Sequence, residues 1–154
     1  MKHLIKYKLF ESDITEFSSY IELSTIEQHI NDICEELKDY DFGTKLEVRD
    51  ISSSSVPSGF IDNLFNYLMN DKKDQNANIF LQITYNPVNR PRVFYFEEVS
   101  DQVKHIDNYL NELGYELTSI VFHKSNFYKG YANSLEEMDG EKMSQSMIIA
   151  WKKL

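Results

Sequence analysis

Two of the four histidines, His29 and His105, have a carboxylate close by in sequence: Asp32 follows His29 by three positions, and Asp107 follows His105 by two. Imidazole beside carboxylate is the pairing used for proton transfer or for holding a divalent metal. Each pair falls on its own helix, so a working site needs the two helices to bring them together. No H-x-x-x-H or HExxH run supplies such a site locally. Both histidines stand one place before an isoleucine, at the border of an apolar stripe, where a histidine is ordinarily part-exposed. The expectation is no metal and no cofactor.

The remaining chemistry is sparser. Cys34 is the single cysteine, which excludes an internal disulfide and a cysteine metal cluster. Set beside Ile33 and four after Ile30, it reads as a small core residue. The serines at 52–55 form neither a G-x-S-x-G elbow nor S-x-x-K. Gly43, Gly59, Gly114, Gly130 and Gly140 never cluster, so phosphate loops and dinucleotide turns are absent. The acidic stretch over 136–141 lacks the alternating ladder of a calcium loop.

The elements that must position these groups follow from periodicity. Ser24-x-x-Glu27 is a capping box. Behind it, Ile26, Ile30, Ile33, Leu37 and Tyr40 form one helical stripe, with Gly43 as the stop. Residues 44–51 alternate as a strand with one wet face, and 52–59 is a loop. A second helix carries Phe60, Ile61, Leu64, Phe65 and Leu68 inward. Strand runs at 78–85 and 92–99 are joined by a loop with Pro87 and Pro91, which excludes a two-residue hairpin. Ser100 opens a third helix with Val103, Ile106, Leu110 and Leu113 inward, ended by Gly114. Strands follow at 115–123 and 147–151, with a polar loop over 124–146 between them.

From 44 to 123 the order is β-α-β-β-α-β. This predicts an α+β fold: an antiparallel sheet with helices on one face and a ferredoxin-like core. The helix at 24–40 and the strand at 147–151 are additions to it. HINDICEEL (29–37) and HIDNYLNEL (105–113) share His, Ile, Glu and Leu in register, an echo compatible with an old duplication, although two amphipathic helices under the same rules often look this alike and that reading is favoured.

Composition narrows function further. The 154 residues carry a formal charge of -9, with 42% hydrophobic and 14% aromatic residues, enough apolar mass for a core. Such acidity argues against a nucleic-acid binder, which gains affinity by neutralising phosphates. No run approaches the about 20 apolar residues of a membrane helix. RVFYFEEV at 92–99 invites comparison with RNA-recognition strands, where aromatics stack on bases. The glycine of that motif is missing and the charge is wrong, so Phe94 and Phe96 are expected to pack inward. Ten Tyr and ten Phe exceed what a small core absorbs, so some belong to a contact surface. Arg90, Arg92, Lys124 and Lys129, with Phe127, Tyr128 and Tyr131, form the candidate interaction surface, Tyr and Arg being enriched at hot spots.

The N-terminus departs from this acidity. MKHLIKYKLF carries Lys2, Lys6 and Lys8 and no acid; subtracting its +3 from -9 leaves -12 on residues 11–154. Ile5, Tyr7 and Leu9 alternate with Lys6 and Lys8 as an edge strand would. Leu9-Phe10-Glu11-Ser12 also resembles the end of the capsid-targeting leaders carried by internal head proteins of large tailed phages. That resemblance covers residues 1–12 and implies cleavage by the prohead protease between Glu11 and Ser12.

The expectation is therefore a basic prefix over 1–12, either edge strand or cleavable leader, and one α+β domain over 13–154. Its function is expected to be non-catalytic: an accessory protein that binds another protein, in the bacterial cytoplasm or, following the leader resemblance, in the virion. The alternative is an acidic inhibitor of a basic, nucleic-acid-binding host protein, since such charge speeds association with a cationic partner. A third reading is an enzyme built on His29 or His105.

Overall fold

The computed structural model describes residues 23–49, 77–125 and 128–154. The prefix with its Glu11–Ser12 junction, the helix read around Phe60 to Leu68, and Phe127 lie outside these residues. Residues 23–38 are helical (α1), and Ser100–Glu112 form α2. Among the described residues seven strands accompany them: β1 Phe42–Val48, β2 Ile79–Tyr85, β3 Val93–Tyr95, β4 Tyr115–His123, β5 Lys129–Ala132, β6 Lys142–Ser144 and β7 Ser146–Lys153. Five make one antiparallel sheet in the order β1-β2-β7-β4-β5, and β3 and β6 form a separate antiparallel ribbon. The class is α+β, as the pattern of elements predicts.

The strand order departs from the ferredoxin-like expectation. β1 and β2 are direct neighbours, and β3 is not in the main sheet. Only Val93–Tyr95 of the 92–99 run stays extended, because Phe96–Glu98 winds into a 3-10 turn. The Glu98 carboxylate accepts the Tyr95 N–H at 2.8 Å, and this local bond draws the chain out of the strand and into α2. The strand at 147–151 is no addition. It lengthens to β7 and takes the sheet's centre, between β2 and β4. Ser146 to Trp151 are all buried, so MIIAW is the unbroken apolar run of a strand covered on both faces.

The helices lie over one face. Ile26, Ile30, Cys34 and Leu37 of α1 and Val103, Ile106 and Leu110 of α2 pack in one core with Ile79, Leu81, Ile83, Met147, Ile149 and Trp151. On the other face Phe80, Val121, Ile148 and Ala150 are buried as well. β4 joins both layers through a bulge between Leu117 and Ser119. Tyr115 and Leu117 face the helices before it, and Ile120 and Phe122 after it. One inserted residue resets the two-residue alternation and keeps the apolar set on the helix side. The Thr118 hydroxyl donates to the Ala150 carbonyl at 3.1 Å, pinning the bulge to β7.

The end of α1 also differs from expectation. Tyr40 is exposed in the turn, and Cys34 takes the inward place in the stripe. The reversal falls at Asp41 (φ 68°) rather than Gly43, which lies in β1; aspartate is among the residues that tolerate this left-handed conformation. Gly114 (φ 89°) does end α2, where a side chain would be strained.

Candidate functional site

Phe94 and Phe96 are fully buried, as expected. The Phe94 ring meets Phe42 edge-on at 5.2 Å and lies 5.7 Å from Tyr85, which anchors the ribbon on the end of the sheet. With Phe94 and Met143 turned inward, alternation turns Val93, Tyr95 and Lys142 outward. Lys142 Nζ stands 6.0 Å from the Tyr95 ring centre, within cation–π range. Between this outer face and the end of β4 runs an open groove of about 620 Å³, lined by Val93, Lys124, Ser125, Glu141, Lys142 and Ser144 among others.

Tyr128 borders the groove, because its carbonyl accepts the Lys124 N–H at 2.8 Å and the Ser125 N–H at 3.3 Å. Arg92 leads into β3, its carbonyl taking the Gln145 N–H at 2.7 Å. Val93, Tyr95 and Tyr128 are 37%, 50% and 70% exposed. Thus Lys124 and Tyr128 adjoin beside the groove, with Val93 and Lys142 in its lining and Tyr95 next to Lys142 as members the sequence reading missed. Their signal was the alternation of 142–144 against 93–95, hidden because three-residue strands carry almost no periodicity.

Three residues of the expected surface go elsewhere. Arg90 turns to Asp41, with 3.3 Å between guanidinium and carboxylate. Lys129 and Tyr131 pair across from His123 and Val121, on the sheet face opposite the helices. β5 itself lies inside the 124–146 segment, where the sequence pattern predicts a loop.

Glu97 ties the base of this region together. Its carboxylate accepts the Gly140 N–H at 2.6 Å, and hydrogen bonds from its own backbone and from Gly140 hold its pKa below the usual carboxylate range.

α1 and α2 lie side by side and bring His29 and His105 to a ring separation of 6.1 Å, nearly perpendicular. The His29 ring also rests on Tyr109 at 4.1 Å. An adjacent groove of about 330 Å³ is lined by Asp32, Ile33, Glu36, Asp101, Gln102 and His105. Gln102 Nε2 donates to Glu36 Oε2 at 3.1 Å across the helix seam. Asp107 is used otherwise: it accepts the Trp151 indole N–H at 2.9 Å and the Asn111 amide at 3.3 Å. Among the described residues, no three of His, Cys, Asp and Glu stand together as a metal-binding group.

Two further reactive side chains are buried. Burial pushes the Cys34 thiol up to about 11, against an opposing hydrogen bond with Thr44, the reverse of what a nucleophile needs. Burial, helped by the charge of Lys129, lowers the His123 pKa. No helix among the described residues is long and apolar enough to cross a membrane. No family model, curated protein or solved structure matches this chain.

Proposed function

We propose that the chain works by binding another protein, through the face where the β3–β6 ribbon meets the end of β4. The observation that carries this is exposed apolar and aromatic surface beside two cations: Val93, Lys124 and Lys142 line one groove, exposed Tyr128 is hydrogen-bonded to Lys124 through its backbone, and exposed Tyr95 stands beside Lys142. Scattered exposed residues need no explanation, but aromatics grouped around a concave, charged surface match the composition of contact sites. The charges here favour an acidic segment on the partner, whatever the net charge of the whole chain.

The test is capture from the natural source with wild type and with Tyr95→Ala/Lys142→Glu. A partner held by wild type, lost with the double variant and kept by Tyr40→Ala supports the reading. A partner indifferent to the double variant sinks it.

A second reading, docking on a basic protein, is supported by α1 and the turn after it, where Glu27, Asp32, Glu35, Glu36 and Asp39 are all exposed. Its partner would leave as salt rises and would be lost on charge reversal along α1. The leader reading rests on residues 1–12 alone, a Lys-rich stretch ending in Leu9-Phe10-Glu11-Ser12. Natural material beginning at Ser12 would support a packaged head protein, and an intact Met1 in virus-free cytosol would remove it.

A further inference from the structure

We propose that the seam between α1 and α2 binds a divalent transition-metal ion of the zinc and copper class through His29 and His105. The two rings stand 6.1 Å apart at 86°. Two imidazoles sharing one tetrahedral ion, with Zn–N of about 2.0–2.1 Å, have ring centres roughly 5 Å apart. The difference of about 1 Å is small enough for rotation of a surface side chain to close. Tyr109 packs against the His29 ring at 4.1 Å and limits its freedom, while His105 is exposed and can swing toward it. One ligand is therefore partly fixed before the ion arrives, which lowers the ordering cost of binding.

The surroundings favour a cation. Asp32, three residues after His29, and Asp101, four residues before His105, line one groove together with Glu36 and His105. Carboxylates so placed concentrate cations locally and can accept the second ring N–H of a ligating imidazole. Because no third protein donor converges with the pair among the described residues, water completes the coordination. Nitrogen ligands select zinc, copper or nickel over magnesium and calcium, which prefer oxygen. The site is independent of the β3–β6 face, so it stands or falls without it.

The experiment is calorimetric titration of the full chain with Zn²⁺ alone at mildly alkaline pH, together with NMR of the histidine rings. The expected result is saturable binding of one ion, with the His29 and His105 ring signals moving together. Losing an outer partner of a metal ligand already costs about 10–100-fold in affinity, so His29→Ala and His105→Ala should each weaken zinc by tenfold or more. His123→Ala, on the sheet face opposite the helices, should leave it unchanged. Magnesium should not compete, and acidification should release zinc as protons take the ligands. The ring signals are read on the unaltered chain, so the test holds even if a variant fails to fold. No saturable binding, zinc that moves other histidines, or single variants within a few-fold of wild type would each overturn the proposal.

Discussion

Asp107→Ala is the most informative single change. Trp151 is the only tryptophan, fully buried at the centre of the sheet, and its indole N–H has Asp107 as acceptor at 2.9 Å. A hydrogen bond to a charged group contributes about 1.5–3 kcal/mol, much of it the cost of leaving a buried donor unmet. Alanine is the better helix former by up to about 0.7 kcal/mol, which offsets part of the loss. The net expectation is about 1–2.5 kcal/mol of destabilisation. At about 2–4 °C per kcal/mol for a protein of this size, Tm falls by roughly 2–10 °C. Asp107→Asn keeps an acceptor oxygen and should lose less. Denaturant unfolding followed by the single indole reports both the midpoint and the environment of Trp151 itself. A double-mutant cycle with Trp151→Phe isolates the pair, since phenylalanine carries no donor. A coupling near 1 kcal/mol or more is expected. Should Asp107→Ala cost the same in the Trp151→Phe background as in wild type, the bond contributes nothing and the reasoning is refuted.

Three other outcomes follow from the packing and the charges. A Cβ at Gly130 would collide with the Phe122 ring, so Gly130→Ala should cost about 1–3 kcal/mol by overpacking, partly recovered by Phe122→Leu in the same melt. The Cys34 thiol, raised from 9.0 to about 11, stays protonated in the folded state over a range where the unfolded chain releases its proton. Its contribution is therefore full below about pH 9 and lost between 9 and 11, on the order of 2–3 kcal/mol at most. Comparing pH-stability curves of wild type and Cys34→Ala reads this difference, and native alkylation should be slow until unfolding. For His123 the sign is opposite in origin: its folded pKa is lowered, so the unfolded chain binds the extra proton and stability falls as pH drops below about 6.5. NMR titration should find the His123 midpoint below the free value, and a midpoint at or above it would contradict the burial argument.

The parts of this fold that were legible in the sequence are those carried by long, strongly periodic segments. α1, α2, β2 and β4 come directly from the spacing of Ile26 to Leu37, Val103 to Leu110, Ile79 to Tyr85 and Tyr115 to Phe122, because burial on one face imposes a period over several turns or pleats. The short ribbon and β5 were illegible, since three or four residues cannot establish a period. Strand order was illegible for a different reason: MIIAW says that β7 is buried on both faces, but not which strands flank it. The inward packing of Phe94 and Phe96 was readable, as was the basic and aromatic character of Arg92, Lys124 and Tyr128. What sequence could not supply was the partner strand that sets Val93, Tyr95 and Lys142 on the same outward face of the ribbon. The meeting of His29 with His105 was equally hidden, because it depends on how two helices lie side by side on the sheet.

The central place of β7 also sets a timetable. Among the described residues β2 and β4 do not pair with each other, and the sheet joins them through residues 146–153. The Asn78 side chain closes this junction by accepting the Lys153 N–H from 75 residues away. On a ribosome, the β1–β2 and β4–β5 pairs therefore emerge as two half-sheets, each presenting a bare apolar edge of the kind that recruits other chains. Closing the sheet must await β7, which is made after its other four strands, and long-range pairing of this kind folds slowly. A chain interrupted before residue 146 should accumulate as insoluble or chaperone-held material rather than as a smaller folded protein.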